Sequence, residues 1–203
     1  MSILVVRHGQ TDWSLTGQHT GTTDVPLTAQ GEAQARALAP AFAHRRVALV
    51  LTSPRERARR TAELAGLTGP SGLAARVSVD EALAEWDYGA YEGRTTAEIS
   101  AELGRPWSVW HDEIEPGRTP GETVHQVAAR ARGVLREASA ADGEDGDVVL
   151  VAHGHFLRIL TATWLGLSPT AGALLALEAG TWGELGHEHD RPVLARWSVP
   201  PVM

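Results

Sequence analysis

Two short stretches of the 203-residue chain hold residues that could do chemistry together: Arg7-His8-Gly9 near the start and His153-Gly154-His155 in the last third. A neutral imidazole is a nucleophile, a guanidinium beside it holds an anion, and a glycine lets backbone approach closely, so such a stretch suits an anionic substrate. Arg57, four residues after Ser53, adds a forked donor of the kind that grips phosphate. Between them, Asp80, Glu81, Glu85, Asp87 and Glu92 are interleaved with Trp86, Tyr88 and Tyr91. A carboxyl desolvated against such rings can act as a proton donor, and the residues alone leave open which of the five it is. Taken singly, each histidine stretch also reads as a strand end with a satisfied side chain. Its repetition favours a shared site.

For these groups to meet, the chain must bring three segment ends together. Ile3–Val6, Val47–Leu51 and Val148–Ala152 are apolar, mostly β-branched runs that read as buried strands. They end at Arg7-His8, at Thr52-Ser53-Pro54 and at His153, and open α/β sheets bind ligands at such carboxyl ends. The expected fold class is a three-layer α/β/α arrangement with a mostly parallel central sheet, formed by one domain over residues 1–203. Thr28 caps a helix from Ala29 whose buried stripe includes Ala35, Leu38 and Phe42. Ser53 as N-cap, Pro54 at the first helical position and Glu56 at the third predict a capping box, with Arg57 in the first turn. Of Arg55, Arg57, Arg59 and Arg60, the other three are expected on a solvated face. Further helices are predicted over Thr95–Leu103, from Gly121 onward (core Val124, Val127, Ala128, Ala131, Leu135 and Ala138) and over Phe156–Leu165. Val77–Val79, Ala179–Leu185 and Val193–Ser198 read as short or edge strands, and Gly66–Gly72 and Asp142–Asp147 as turns. Gly17–Asp24 reads as a loop over the site. Residues 83–120 form a lid excursion whose Trp86, Trp107 and Trp110 are expected to cover a small apolar patch of their own.

Composition narrows the chemistry. With no cysteine, thiolate nucleophiles, thiolate zinc sites and disulfides are excluded. All eighteen basic residues are arginine, so lysine Schiff bases and P-loop chemistry are excluded too. A net charge of -7 argues against a nucleic-acid footprint. No apolar run reaches the ~20 residues of a membrane span, and a cytoplasmic protein is expected. The histidines of His153-Gly154-His155 face opposite sides of a strand end, and His187-Glu188-His189-Asp190 lies in a terminal turn, so no metal is assigned to either.

With these pieces placed, the sequence resembles the histidine phosphatase superfamily, the phosphoglycerate mutase-like proteins. Arg7-His8-Gly9-Gln10-Thr11 matches the family's R-H-G-x-T signature; Gly17–Gly21 with Asp24–Thr28, Ser53-Pro54 with Arg57-Ala58 and Thr61-Ala62, Glu85 with Gly89, Glu92 and Gly93, and His153-Gly154 match the later blocks in order. The wording is most similar to the sedoheptulose-bisphosphatase-like and small acid phosphatase branch, through Gln10–Ser14, Glu85–Gly89, Arg105-Pro106-Trp107, Trp110 and His155. The resemblance implies a phosphomonoester hydrolase with a phosphohistidine intermediate, acting without a cofactor on sugar phosphates or a broad range of small phosphate esters. It implies His8 as nucleophile, Arg7, Arg57 and His153 as the charged clamp, Glu85 as proton donor, and Ser14, Thr20, Gly21 and Gly154 as phosphate contacts. His155 is expected in the pocket wall or supporting it from behind, and Gln10 and Asp12 either shape the entrance or cap their own loop. Two alternatives stand beside this: a phosphoglycerate mutase, which the acidic lid His111–Glu115 disfavours, and a catalytically silent phospholigand-binding module, which needs neither nucleophile nor acid. The expected partners are a small phosphate ester and a possible homodimer.

Overall fold

A computed structural model describes residues 2–69, 72–140 and 146–201. Strand β1 (Ile3–Arg7) runs into a short helix α1 (Asp12–Thr16), followed by α2 (Ala29–Ala37) and α3 (Ala39–Phe42). Strand β2 (Val47–Thr52), α4 (Glu56–Leu64) and β3 (Ala74–Val79) complete the first half. Then come α5 (Thr96–Leu103), α6 (Val124–Ala140), β4 (Asp147–Ala152), α7 (Gly154–Trp164), β5 (Trp182–Glu188) and β6 (Arg191–Val199). The six strands form one sheet in the order β3-β2-β4-β1-β5-β6, parallel from β3 to β1 and antiparallel from β1 onward.

The three apolar runs are therefore neighbours at the centre, and their alternation splits the core into two layers. Leu4, Val6, Val50, Val149 and Val151 pack on one face with Leu38, Phe42, Ala58 and Ala62. Ile3, Val5, Leu49, Leu51, Val148 and Leu150 pack on the other with α6 and α7. This is the pattern of strands covered on both faces, and it accounts for their continuous hydrophobicity. The edge strand β3 leaves Val77 and Val79 exposed.

Three expectations are corrected. The helix bearing Arg57 begins at Glu56, with Arg55 as its N-cap residue and no side-chain cap from Ser53. The Asp24 carboxylate, reaching from the preceding loop, accepts the Glu56 N–H at 2.9 Å instead. The tryptophans of the excursion do not form a patch of their own: Trp86 and Trp107 are continuous with the core under α6 and α7, and Trp110 packs against it. The last long helix opens at Gly154, two residues earlier than predicted, directly at the end of β4. His189 and Asp190, both at positive φ (47° and 63°), form the two-residue turn between β5 and β6, which is a hairpin role. Residues 142–145 of the predicted acidic turn, and 70–71 of the Gly66–Gly72 turn, lie outside the described residues. Among the described residues no helix is long and apolar enough to cross a membrane.

Candidate active site

The register between β1 and β4 pairs Arg7 with Ala152, so the next residues, His8 and His153, emerge side by side. Their ring centroids are 5.1 Å apart at 62°. The backbone carries this alignment further, since the His8 N–H donates to Ala152 O at 3.0 Å. His8 Nδ1–H donates to Gly9 O at 2.7 Å, which fixes the tautomer and leaves Nε2 with a lone pair. Burial, and then the nearby Arg57 and Arg7 guanidiniums, hold the His8 pKa well below its ordinary value, so the ring is neutral. The Gly9 N–H is held in turn by Thr61 Oγ1 at 3.1 Å. Gly9 is required by contact: a Cβ there would lie 2.3 Å from Gly31 O.

Around His8 lie donors that the protein leaves unanswered. Arg7 Nε, Arg57 Nε and His153 Nδ1 are all buried without a hydrogen-bond partner. Unpaired buried donors of this kind cost on the order of 1–3 kcal/mol each, and three around one imidazole mark a place built for an anion. Arg57, with no exposed surface, gives its two terminal nitrogens to the loop above, Nη1 to Thr23 O at 2.9 Å and Nη2 to Thr20 O at 3.0 Å. The same loop is pinned from the lid, because the Glu92 carboxylate accepts N–H groups from Gly21 and Thr23. Ser53, which the sequence suggested as a cap, sits instead beside His153. Its oxygen accepts the Arg55 N–H at 3.3 Å and lies 2.7 Å from His153 Nε2. Burial keeps His153 neutral, and with the hydroxyl donating to Nε2 the ring carries its proton on Nδ1.

Glu85 is the carboxyl that the structure sets at the site. Oε1 accepts N–H groups from Trp86 and Phe156 at 2.9 and 2.8 Å, and Oε2 accepts that of His155 at 3.0 Å. Burial raises its pKa above the usual carboxylate value, and these three N–H bonds oppose the rise. A residue that sequence reasoning missed holds this segment. Arg130 on α6, read only as part of a core helix, donates to the carbonyls of Ala82, Ala84 and Glu85, pairs with Glu122 at 2.8 Å and lies over the Phe156 ring. An arginine at helical spacing among apolar residues carries no local mark of that role. The carbonyls that it holds are more than forty residues away.

A cavity of about 270 Å³ opens beside these groups, lined by Arg7, His8, Ser14, Thr20, Glu85 and Gly154 among the residues singled out from sequence. His155 joins its wall, as expected. Arg57, His153 and Gly21 do not line it; the first two stand against His8 with their free nitrogens sealed, and the Gly21 N–H is taken by Glu92. Gln10 and Asp12 lie elsewhere, Gln10 accepting from Thr28 and Asp12 exposed in the first turn of α1. Of the helix-face arginines, Arg59 is exposed and Arg60 pairs with Glu32 and Glu63, whereas Arg55 is half-buried with its Nε sealed. Among the described residues no group of three or more His, Asp or Glu is placed to hold a metal ion.

The family profile of the histidine phosphatase superfamily (branch 1) matches residues 3–200. The chain belongs to the histidine phosphatase superfamily. Its relatives within that superfamily include the acid phosphatase of Mycobacterium tuberculosis, 39% identical with 95% of this chain and 90% of that protein covered. The sedoheptulose 1,7-bisphosphatase of Saccharomyces cerevisiae is also 39% identical, over 81% of this chain and 67% of its own length. Among solved structures, a mycobacterial glucosyl-3-phosphoglycerate phosphatase in complex with VO3 superposes with a TM-score of 0.83 at 32% identity, covering 98% of each chain. The sheet, the paired histidine strands and the phosphatase class are thus those of a histidine phosphatase.

Proposed function

We propose that this histidine phosphatase hydrolyses phosphate monoesters through a phosphohistidine on His8 Nε2. The observation that carries the reading is the neutral His8, anchored at Nδ1 and flanked by Arg7, Arg57 and His153, each of which keeps one buried nitrogen without a partner. In the first step the Nε2 lone pair forms a bond to phosphorus, the bond to the leaving oxygen breaks, and the Glu85 proton passes to that oxygen. Charge on the three equatorial oxygens is met by the guanidiniums and by His153 Nδ1–H. In the second step water attacks phosphorus, Glu85 takes its proton, the phosphorus–nitrogen bond breaks, and inorganic phosphate leaves with both residues restored. The site is preorganised for this, since every one of these groups is held by backbone or by a buried partner.

Small phosphorylated sugars are the substrates that the relatives favour: their names specify sedoheptulose 1,7-bisphosphate and a glucosyl phosphoglycerate. The test is phosphate release from a panel of sugar phosphates and phosphoglycerates without a bisphosphate primer, with acid-quenched enzyme assayed for phosphohistidine. Primer-independent release and a label lost in His8→Ala support the reading. Full activity in that variant, or isomerisation without phosphate release, overturns it. The pH profile follows from two shifts. His8 must be neutral and its pKa is depressed, so the acid limb of kcat/KM lies well below pH 6.5; Glu85 must be protonated, so activity declines as pH rises through its raised value. The maximum is expected on the acid side of neutrality, and Glu85→Gln should remove the alkaline limb.

A further inference from the structure

The cavity extends past the chemistry. Beyond Arg7, His8 and Glu85 its wall is made by His19, His155 and Arg158, and no carboxylate other than Glu85 lines it. Arg158, on the turn of α7 after His155, is fixed before any ligand arrives. Its Nε donates to Gly172 O and its Nη2 to Ala173 O, both at 2.9 Å, and its guanidinium carbon lies 4.6 Å from the centre of the Trp110 ring. Nη1 has no protein partner among the described residues and is not sealed from solvent. Among the described residues no carboxylate pairs with this half-buried cation, and the opposing charge that it feels most is Glu85, the proton donor itself. A guanidinium immobilised by two carbonyls and a ring, yet left without a counter-ion, is prepared to bind one at little entropic cost.

His155 completes the wall. Burial raises the pKa of the Tyr88 phenol well above its ordinary value and keeps it protonated; its hydroxyl lies 2.6 Å from His155 Nδ1, and donation to that nitrogen leaves the ring proton on Nε2. Burial keeps His155 neutral, so its proton sits on Nε2, which has no protein partner among the described residues and is not sealed either. The wall therefore offers an oriented neutral donor and then a fixed cation.

We propose that this wall is the leaving-group subsite and that it selects esters whose leaving group carries a second anionic group, phosphate or carboxylate, bound by Arg158 Nη1, with His155 Nε2–H donating to an oxygen on the way. The inference deepens the phosphatase reading and rests on it for the placing of the reactive phosphate at His8. Its test does not depend on turnover. Propylphosphonate, 4-phosphonobutanoate and propane-1,3-bisphosphonate share one phosphonate and differ at the far end in a methyl, a carboxylate and a second phosphonate; pentyl-spaced analogues give a second reach. Binding to the intact protein is measured by calorimetry for the wild type, Arg158→Met and Arg158→Lys, with circular dichroism to check folding.

In the wild type the doubly anionic ligands should bind at least about tenfold more tightly than the monoanion at one of the two lengths. Arg158→Met should reduce that preference to near unity, and Arg158→Lys should recover part of it; the larger preference identifies phosphate or carboxylate. Equal affinity for all three ligands in the wild type overturns the proposal, as does a preference that a folded Arg158→Met protein retains, since Arg158 would then only brace the Gly172-Ala173 turn. If Arg158→Met does not fold, the wild-type comparison and Arg158→Lys decide. Failure of the phosphatase reading would appear separately, as absence of phosphate release from the matched phosphate esters.

Discussion

His8-Gly9 and His153-Gly154 are the same dipeptide at the ends of adjacent parallel strands, yet the fold makes them opposites. His8 is anchored through Nδ1 to the carbonyl of the next residue, leaving Nε2 as a free base. His153 is anchored through Nε2 to Ser53, leaving Nδ1 as the nitrogen without a partner. The glycines differ as well. At Gly9 the α2 backbone leaves no room for a Cβ, whereas a Cβ at Gly154 would lie 3.2 Å from Arg7 Cζ, a tight contact with a side chain. Which ring nitrogen is tied down, rather than which residue is present, decides between nucleophile and donor.

The comparison can be broken at either histidine. His8→Ala should abolish hydrolysis, a loss on the order of 10⁴–10⁶ in kcat measured by phosphate release, because it removes the ring that takes the phosphoryl group. His153→Ala should lose less, roughly 10²–10³, since it removes one donor from the equatorial oxygens and leaves the covalent step intact. Acid-quench labelling should therefore detect phosphohistidine in the second variant and none in the first; the reverse pattern would exchange their roles.

What the two rings share is a depressed pKa, and His19 and His155 share it with them. A folded-state value below the unfolded one means that the unfolded chain binds more protons, so stability is full above pH 6.5 and falls as pH drops toward the folded values. His19, lowered to about 4 by burial, accounts by itself for about 3 kcal/mol between pH 6.5 and 4. Urea midpoints at pH 7 and pH 4.5 should show this decline, and His19→Gln should lessen it. The smallest effect sharpens the contrast most directly. Ser53→Ala should lower kcat about tenfold by freeing the His153 tautomer, with Ser53→Thr restoring it. Long-range ¹⁵N correlation spectra should place the His153 proton on Nδ1 in the wild type and redistribute it in the alanine variant, while His8 keeps its own.

Much of this was legible in the chain. Ile3–Val6, Val47–Leu51 and Val148–Ala152 declared themselves as strands because burial on both faces leaves an unbroken apolar run, and both His8 and His153 stand at the end of one. The residues that position the site were not legible, for a common reason. Ser53 carries every local sign of a helix cap, and only the neighbouring strand, a hundred residues on, draws its hydroxyl away. Arg130, Thr61 and Tyr88 act through carbonyls, amides and rings contributed by distant segments. Periodicity reports which face of an element is buried, and is silent about which backbone group waits there.

Arg57 divides three nitrogens among separate tasks: two hold the loop at Thr20 and Thr23, and one is buried without a partner. A lysine has a single head on a flexible stem and can serve one of these at a time. Exchange of one cation for another at this position would thus loosen the roof and blunt the anion grip in a single stroke, so charge conservation offers no shelter here and the guanidinium shape itself is what the position demands.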